Sequence, residues 1–258
     1  MAASRLLGAV LLLVALAGVR AAEPGAVSVA AAANLAYVVD ALRAAFAREN
    51  PGVKVTCALG PTGGLHAQIT HGAPFDVFLS ADVETPRALA ARGGADPATL
   101  RVFATGRLVA WTSRADIDLT NLAAAARHPR VGRIALAQPA TAPYGRAAQA
   151  ALEHAGAWEQ VRPKVVFGDS LTQTVQFVES GSAELGLVAL SAMRSPRLAG
   201  RGTWREIPAE AHPGVSLDHA AVLTSRGTRN PAARRFLDFL GGEASRAILR
   251  EAGYGVPP

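Results

Sequence analysis

The sequence lacks the residues that several classes of protein require. Its 258 residues include a single cysteine, Cys57, and aromatic side chains make up only 5% of the chain. One cysteine excludes an intrachain disulfide scaffold and a cysteine-rich zinc site. Charged residues are also few, at 18%, whereas 50% of the residues are hydrophobic. A chain of this length and composition can bury one large core or two smaller ones, and it is too apolar to be disordered.

Long hydrophobic runs are also lacking, apart from one near the N-terminus. This run covers residues 6–17 and follows Arg5. It is too short to cross a bilayer comfortably, because a spanning helix requires about 20 apolar residues. Small residues and the sequence Val19-Arg20-Ala21 come next. A basic residue, an apolar segment and a small-x-small site predict a signal peptide over residues 1–21, and therefore a periplasmic protein.

No segment carries a concentrated charge. The 26 Lys and Arg residues exceed the 20 Asp and Glu residues, and removal of Arg5 and Arg20 with the signal peptide leaves 24 against 20. The arginines are scattered singly among acidic residues, whereas a nucleic-acid-binding protein concentrates its basic residues on one face. The pattern therefore argues against nucleic acid as a partner.

Short β-branched runs and amphipathic helical segments alternate along the rest of the chain. This alternation is typical of an α/β fold with parallel strands, and the pattern restarts near residue 108. The predicted strands are residues 27–31, 53–56, 76–79, 108–111, 133–136, 165–167, 185–189 and 220–223. Two half-sized α/β units without a long linker predict two lobes that face each other across a ligand cleft.

Four predicted strand-to-helix turns have a similar composition. They contain small, hydroxyl and amide residues and almost no cations, and they are residues 31–35, 60–65, 141–145 and 168–172. Ligands of open α/β sheets bind near such turns, and free N–H groups at helix N-termini attract anions. Taken singly, Asn34 and Ser170 are more simply explained as N-caps. The recurrence of this composition at four turns indicates a site for a small oxyanion.

Several short motifs also carry a resemblance to a known family. The most specific is GAPFDVFLSAD, residues 72–82, and the weaker ones are residues 29–35, 65–69, 143–145, 156–158 and 176–186. Through them, about residues 25 to 255 resemble the periplasmic molybdate-binding proteins, the solute receptors of molybdate ABC importers. The resemblance implies a two-lobed α/β fold of the type II periplasmic binding proteins with two crossovers. Lobe 1 would comprise residues 24–106 and 216–258, and lobe 2 residues 107–215.

The resemblance also implies which residues bind molybdate or tungstate. These residues are Ala33, Asn34, Thr62, Tyr144 and Leu171. Ala33 and Leu171 would act through backbone N–H groups, and Asn34, Thr62 and Tyr144 through their side chains with help from the backbone. Ser170 is implied only as a less certain neighbour. No cofactor and no direct metal ligand are expected, because molybdenum would enter only within the oxyanion. The implied protein is a monomeric receptor without enzymatic activity that delivers its anion to a membrane ABC permease.

This chain departs from the family pattern at several positions. Asn34 stands where many members have Ser, and Pro61-Thr62 stands where many have two Ser residues. Ala189 occupies a position near which some members have a Tyr donor, and the resemblance implies that Tyr144 supplies this donor instead. Pro61 also removes one backbone N–H from its turn.

Two alternatives remain open from the sequence. Residues 168–171 spell GDSL, the signature of an esterase family in which Ser170 would be the nucleophile. However, the motif lies two-thirds along the chain, and no Asp stands three residues before any of the six histidines. The second alternative keeps the fold and changes the ligand to sulfate, phosphonate or a small carboxylate. A carboxylate receptor usually needs an arginine in the cleft, and the four turns offer only Arg146.

Overall fold

A computed structural model describes residues 25–257. The predicted signal peptide, residues 1–21, lies outside the described residues. The strands are β1 (Ala26–Ala32), β2 (Lys54–Gly60), β3 (Val77–Ser80), β4 (Arg101–Thr105), β5 (Leu108–Thr112), β6 (Ile134–Ala137), β7 (Val165–Gly168), β8 (Leu185–Ala189), β9 (Thr203–Ile207) and β10 (Asp218–Leu223).

The helices follow the strands along the chain. The α-helices are α1 (Val39–Glu49), α2 (Thr62–Thr70), α3 (Glu84–Ala91), α4 (Leu122–Arg127), α5 (Pro143–His154), α6 (Trp158–Val161), α7 (Leu171–Glu179), α8 (Leu190–Met193), α9 (Pro231–Leu240) and α10 (Glu243–Glu251). The 3-10 helices are Ala33–Tyr37, Pro97–Thr99, Arg162–Lys164, Ala209–Ala211 and Gly227–Arg229. Among these helices, none is both long and apolar enough to cross a membrane.

The described strands form two five-stranded sheets, with the orders β2-β1-β3-β10-β4 and β7-β6-β8-β5-β9. The chain passes from the first sheet to the second between β4 and β5, and it returns between β9 and β10. We call the part built on the first sheet lobe 1 and the part built on the second sheet lobe 2. The predicted two-lobed α/β fold with two crossovers is therefore confirmed.

Both sheets are mixed, with the expected parallel strands and with antiparallel pairs beside them. β1 is parallel to β2 and β3, and β6 is parallel to β7 and β8. In contrast, β10 and β5 are antiparallel to their neighbours. Each of these two strands is the first that the chain forms after a crossover. It enters its sheet from the side of the other lobe, where the parallel strands end, and so it runs in the opposite direction.

The sequence pattern does not predict β4 and β9, the edge strands beside β10 and β5. In β9 only Ile207 is buried. An edge strand covers less hydrophobic surface than a central one, so its sequence carries a weaker apolar pattern.

Helices cover both faces of the lobe 1 sheet. On one face Phe46 of α1 lies edge-on against Phe236 of α9, with ring centroids 5.1 Å apart. On the other face Leu65 and Leu89 belong to the cluster around Phe78 of β3. Successive residues of a strand point to opposite faces, so the short, fully buried β3 serves both cores.

Gly145 allows α5 to begin directly against the end of β6. A Cβ at this position would overlap the backbone carbonyl of Ala137, the last residue of β6. Glycine is used where two backbones approach this closely. The contact fixes the first turn of α5, which contains Tyr144, at the edge of lobe 2 that faces lobe 1.

Candidate functional site

Four helical segments begin around one point between the lobes. They are the 3-10 helix Ala33–Tyr37 and α2 of lobe 1, and α5 and α7 of lobe 2. Residues at and beside their first turns line a small cavity of about 10 Å³, far below the range of about 300–1,000 Å³ typical of drug-sized ligands. The lining residues are Ala32, Ala33, Asn34, Pro61, Thr62, Ala81, Ala142, Pro143, Tyr144 and Leu171. The cavity suits a small ligand held at helix N-termini.

The structure places all five predicted anion-binding residues in the lining of this cavity. Ala33 and Asn34 begin the 3-10 helix, Thr62 and Leu171 are the first residues of α2 and α7, and Tyr144 is the second residue of α5. Their exposed fractions lie between 2% and 6%. Residues from both lobes and from four separate turns therefore meet in one buried place.

Ser170 acts as the N-cap of α7 and is not among the lining residues. Its backbone is extended, and its hydroxyl oxygen accepts a hydrogen bond from the N–H of Gln173 at 3.3 Å. The N–H of Leu171, at the first position of the helix, has no partner inside α7. The first N–H of α7 is therefore free of bonds within the helix, while Ser170 fixes the start of the helix.

The hydroxyl of Thr62 is oriented by a contact within lobe 1. Its oxygen accepts a hydrogen bond from the backbone N–H of Ala81 at 3.2 Å. A hydroxyl that accepts one bond still has its own hydrogen to donate. The preceding Pro61 is the N-cap residue and places no side-chain acceptor over the start of α2. Thr62 therefore offers a hydroxyl hydrogen as well as the first N–H of α2.

Asn34 lines the cavity, but it does not cap a long amphipathic helix as the sequence suggests. α1 begins only at Val39, and Asn34 is the second residue of the 3-10 helix. Its side-chain nitrogen lies 2.6 Å from Nε2 of His219 and 2.9 Å from the hydroxyl of Tyr254. These two contacts use both amide hydrogens. In this arrangement, the donor that Asn34 retains for the cavity is its backbone N–H.

Tyr144 brings a buried hydroxyl to the cavity. Its hydrogen has no acceptor within the described range 25–257, although the backbone N–H of Arg107 interacts weakly with its oxygen. It lies against Gly106, where a Cβ would overlap with it. Burial raises the pKa of Tyr144 well above its usual value, so the phenol keeps its proton and can donate it. Because buried polar groups are normally hydrogen-bonded, this hydroxyl marks a place where an acceptor is missing.

The two lobes contact each other around the cavity. The N–H of Gly63, in the first turn of α2, donates to the carbonyl oxygen of Thr141 at 2.9 Å. The hydroxyl of Thr172 in α7 donates to the carbonyl oxygen of Ala33 at 3.4 Å. These hydrogen bonds join the two lobes beside the cavity.

None of the lining residues is charged. Arg146 of α5 forms an ion pair with Asp82 across the lobe boundary, with Nη2 and Oδ2 2.7 Å apart. The Asp82 carboxylate also accepts hydrogen bonds from the hydroxyls of Ser80 and Thr85 and from the N–H of Thr85. The charge of Arg146 is therefore balanced outside the cavity. Within residues 25–257, no group of His, Cys, Asp and Glu side chains could hold a metal ion.

Three residues that sequence reasoning did not single out lie directly behind the cavity. His219, Tyr254 and Ser191 form a buried hydrogen-bonded group with Asn34. The hydroxyl of Tyr254 lies 3.1 Å from both the carbonyl oxygen of Asn34 and Oγ of Ser191. His219 and Tyr254 are 185 and 220 positions from Asn34 in the chain. No local signal in a single sequence could have found contacts over this separation.

The GDSL motif does not form a nucleophilic centre. The hydroxyl oxygen of Ser170 is engaged by the N–H of Gln173, and within the described part of the chain it makes no hydrogen bond to a histidine. His219, the buried histidine behind the cavity, is bonded to Asn34 and to the carbonyl oxygen of Leu217. The arrangement that activates a serine is therefore not found at this motif.

The fold and the cavity define a class: two-lobed receptors that hold a small solute between their lobes. In agreement, residues 27–255 match the family model of the bacterial extracellular solute-binding proteins. The chain belongs to this family.

Individual relatives narrow the class. The chain is 37% identical over 237 residues to the molybdate-binding protein ModA of Azotobacter vinelandii, with 92% of both chains covered. It is 36% identical over 233 residues to ModA of Rhodobacter capsulatus, with 90% of this chain and 89% of that one covered. The solved structure of the A. vinelandii periplasmic molybdate-binding protein matches with a TM-score of 0.84 at 29% identity, covering 90% of this chain and 100% of that chain. The resemblance stated from the motifs is confirmed, and these relatives are binding proteins rather than enzymes.

Proposed function

We propose that the protein is the periplasmic receptor of an ABC importer and that it binds molybdate in the cavity between its lobes. The observation that carries the proposal is the convergence of helix N-termini from both lobes on a cavity without charged lining residues. The ModA relatives from A. vinelandii and R. capsulatus support molybdate as the ligand, because both are named for it.

Helix N-termini attract a dianion without a buried cation. Each N-terminus carries about half a positive elementary charge, because the peptide dipoles of a helix are aligned. α2, α5 and α7 have 9, 12 and 9 residues, so each forms at least two turns. A buried guanidinium would instead add a large desolvation cost. Uncharged donors therefore bind the dianion and leave no unpaired charge when the anion departs.

The proposed ligands surround the anion with donors from several directions. Ala33, Asn34 and Leu171 contribute backbone N–H groups, while Thr62 and Tyr144 contribute hydroxyls. Hydrogen bonds to a charged oxygen are stronger than those between neutral groups. Tungstate has the same charge and shape and nearly the same size as molybdate, so it binds at the same donors. Sulfate is smaller and cannot reach all of them at once, and a protonated phosphate would need an acceptor that the lining residues do not supply.

The proposal includes a movement of the two lobes. We assign residues 24–106 and 216–258 to lobe 1 and residues 107–215 to lobe 2. At the boundary, the N–H of Gly106 donates to the carbonyl oxygen of Leu217 at 2.8 Å, so the two crossovers lie side by side. The lobes open and close about these segments, and the anion favours the closed form because it contacts both lobes only there.

We also propose where the protein acts and to which partner it delivers the anion. A signal peptide over residues 1–21 directs the chain to the periplasm, and the mature protein acts there as a monomer. It then delivers the anion to a membrane ABC permease.

Calorimetric titration of the anion-free protein with molybdate, tungstate and sulfate tests the proposed function. Molybdate and tungstate should bind with one site per chain, and sulfate at least about tenfold more weakly, which corresponds to about 1.4 kcal/mol. An equal affinity for sulfate would show that the site does not select molybdate and would overturn molybdate as the proposed ligand. The absence of binding for both metal oxyanions would refute the proposal.

A further inference from the structure

A buried polar network lies behind the cavity and includes one of its lining residues. Asn34, His219 and Tyr254 have exposed fractions of 2%, 0% and 5%. The side-chain nitrogen of Asn34 is 2.6 Å from Nε2 of His219 and 2.9 Å from the hydroxyl oxygen of Tyr254. The Asn34 side chain therefore points into the protein, where it is held from two sides.

The hydrogen bonds of His219 determine its tautomer. Nδ1 lies 2.8 Å from the carbonyl oxygen of Leu217, and a carbonyl can only accept, so Nδ1 carries the hydrogen. Nε2 is then an acceptor, and it takes a hydrogen from the Asn34 amide. Neutral His219 thus satisfies both of its ring nitrogens, and a protonated ring would lose the bond to Asn34.

The same carbonyl links the network to the crossovers. The carbonyl oxygen of Leu217 accepts hydrogen bonds from Nδ1 of His219 and from the N–H of Gly106. Gly106 follows β4, and Leu217 precedes β10, so both lie where the chain passes between the lobes. A continuous path of hydrogen bonds thus runs from the crossovers through His219 to Asn34.

The His219 ring is also confined by three aromatic rings. Those of Phe103, Tyr144 and Tyr254 lie with centroids 6.1, 6.1 and 5.4 Å away, each at a steep angle to the imidazole. Tyr144 is itself a lining residue of the cavity. The ring of His219 therefore contacts both halves of the candidate site, from lobe 1 through Asn34 and from lobe 2 through Tyr144.

We propose that His219 is a positioning residue for anion binding. By accepting a hydrogen bond from Asn34, it holds the start of the 3-10 helix so that the N–H groups of Ala33 and Asn34 are directed at the cavity. Through its hydrogen bond to the carbonyl of Leu217, it also fixes the position of the lobe 1 half of the site relative to the crossovers. The inference rests on the proposed function, because its consequence is measured as molybdate affinity.

Two substitutions distinguish the effect of the hydrogen-bond acceptor of His219 from the effect of its side-chain volume. His219→Leu fills much of the space but has no acceptor, whereas His219→Gln places an amide oxygen near the position of Nε2. The leucine variant should bind molybdate at least tenfold more weakly than the parent, and the glutamine variant should recover most of the loss. His71→Leu, at an exposed histidine outside the site, is the matched control and should bind like the parent. Equal losses in the leucine and glutamine variants would overturn the inference.

A measurement on the anion-free protein tests the role of His219 independently of whether the protein binds molybdate. In the anion-free parent protein, NMR should detect a ¹⁵N–¹⁵N coupling across the hydrogen bond between Asn34 Nδ2 and His219 Nε2. The Asn34 side-chain hydrogens should exchange slowly with solvent in the parent and in His219→Gln, and fast in His219→Leu. Lack of the coupling in the parent would refute the positioning role, even if the leucine variant fails to fold. Failure of the parent to bind molybdate or tungstate would refute the proposed function instead.

Discussion

Lobe 1 and lobe 2 bring different kinds of donor to the same cavity. In lobe 1 the polar side chains are already hydrogen-bonded within the protein, Asn34 to His219 and Thr62 to Ala81. In lobe 2 the hydrogen of the Tyr144 hydroxyl has no acceptor within residues 25–257. The two sheets share one plan, three parallel strands followed by an antiparallel strand and an edge strand. The difference therefore comes from side chains and not from topology.

Because of this difference, the two lobes contribute to binding in different ways. A half-site that the protein itself holds in place loses little conformational freedom when the ligand arrives. A half-site with an unpaired donor gains a hydrogen bond only when the ligand is present, and this differential contact drives closure. We therefore expect changes behind lobe 1 to act on folding stability as well as on anion affinity, and changes in lobe 2 to act mainly on anion affinity.

The largest expected effect is the pH dependence of folding that originates from His219. Burial lowers the pKa of His219 from 6.5 to about 4, although the Leu217 carbonyl favours the protonated ring. Between pH 6.5 and about pH 4, His219 is protonated in the unfolded chain but remains neutral in the folded chain. Stability from this source is complete above pH 6.5 and is lost as the pH falls towards 4, by about 3 kcal/mol in total.

Chemical denaturation between pH 7 and pH 4 measures this loss. The parent should lose more stability than His219→Gln over the same interval, because glutamine does not titrate. If the free energy of unfolding fell equally with pH in both proteins, His219 would not be a buried neutral group. The contrast between a prearranged lobe 1 and an unpaired donor in lobe 2 would then no longer hold.

The second effect concerns the unpaired hydroxyl of lobe 2. Tyr144→Phe should weaken molybdate binding by about 2 kcal/mol, the value of a hydrogen bond to a charged group, and should leave the stability of the anion-free protein nearly unchanged. Tyr37→Phe is a matched control, because the Tyr37 hydroxyl is also buried but does not line the cavity. Calorimetry should show a loss only for Tyr144→Phe. A similar affinity for both variants would remove Tyr144 from the site.

A smaller effect is expected at the ion pair that joins the lobes. Arg146→Gln removes the partner of Asp82 and should raise the dissociation rate of molybdate about fivefold, equivalent to about 1 kcal/mol. The effect is modest because the Arg146 side chain is 41% exposed, and because Asp82 keeps its bonds to Ser80 and Thr85. Arg114→Gln breaks the pair with Asp116 inside lobe 2 and is the control. Stopped-flow kinetics should show faster release for Arg146→Gln alone, and identical rates would mean that this pair does not hold the closed form.

The smallest effect on affinity is expected at the cap of α7. Ser170→Ala should lower the free energy of unfolding by about 1 kcal/mol through loss of the bond to the N–H of Gln173. Its molybdate affinity should stay within about twofold of the parent, a difference below about 0.5 kcal/mol. Thermal unfolding and calorimetry on the same sample measure both quantities. A tenfold loss of affinity would make Ser170 a ligand and would add a side-chain donor to lobe 2.

Local signals explain where sequence-based prediction succeeded. α7 begins within the predicted turn of residues 168–172, because Ser170 caps the helix and Leu171, Val175 and Val178 form its buried face. The bounds of the buried strand Leu185–Ala189 are also those predicted. The edge strand β9 was missed, because its mostly exposed residues show no apolar alternation.

The sequence by itself determined most of the places where helices begin and the kinds of donor found there, since caps, glycines and apolar spacing act over a few residues. The family resemblance carried by its motifs, rather than these local signals, implied Ala33, Asn34, Thr62, Tyr144 and Leu171 as binding residues before any geometry was known. Only the tertiary structure decided how these residues are used. The Asn34 side chain turns away to His219, 185 positions distant, and Arg146 is neutralised by Asp82 of the other lobe. Such pairings depend on two crossovers that bring remote segments together, and hydrogen bonds form only over distances that the complete fold establishes.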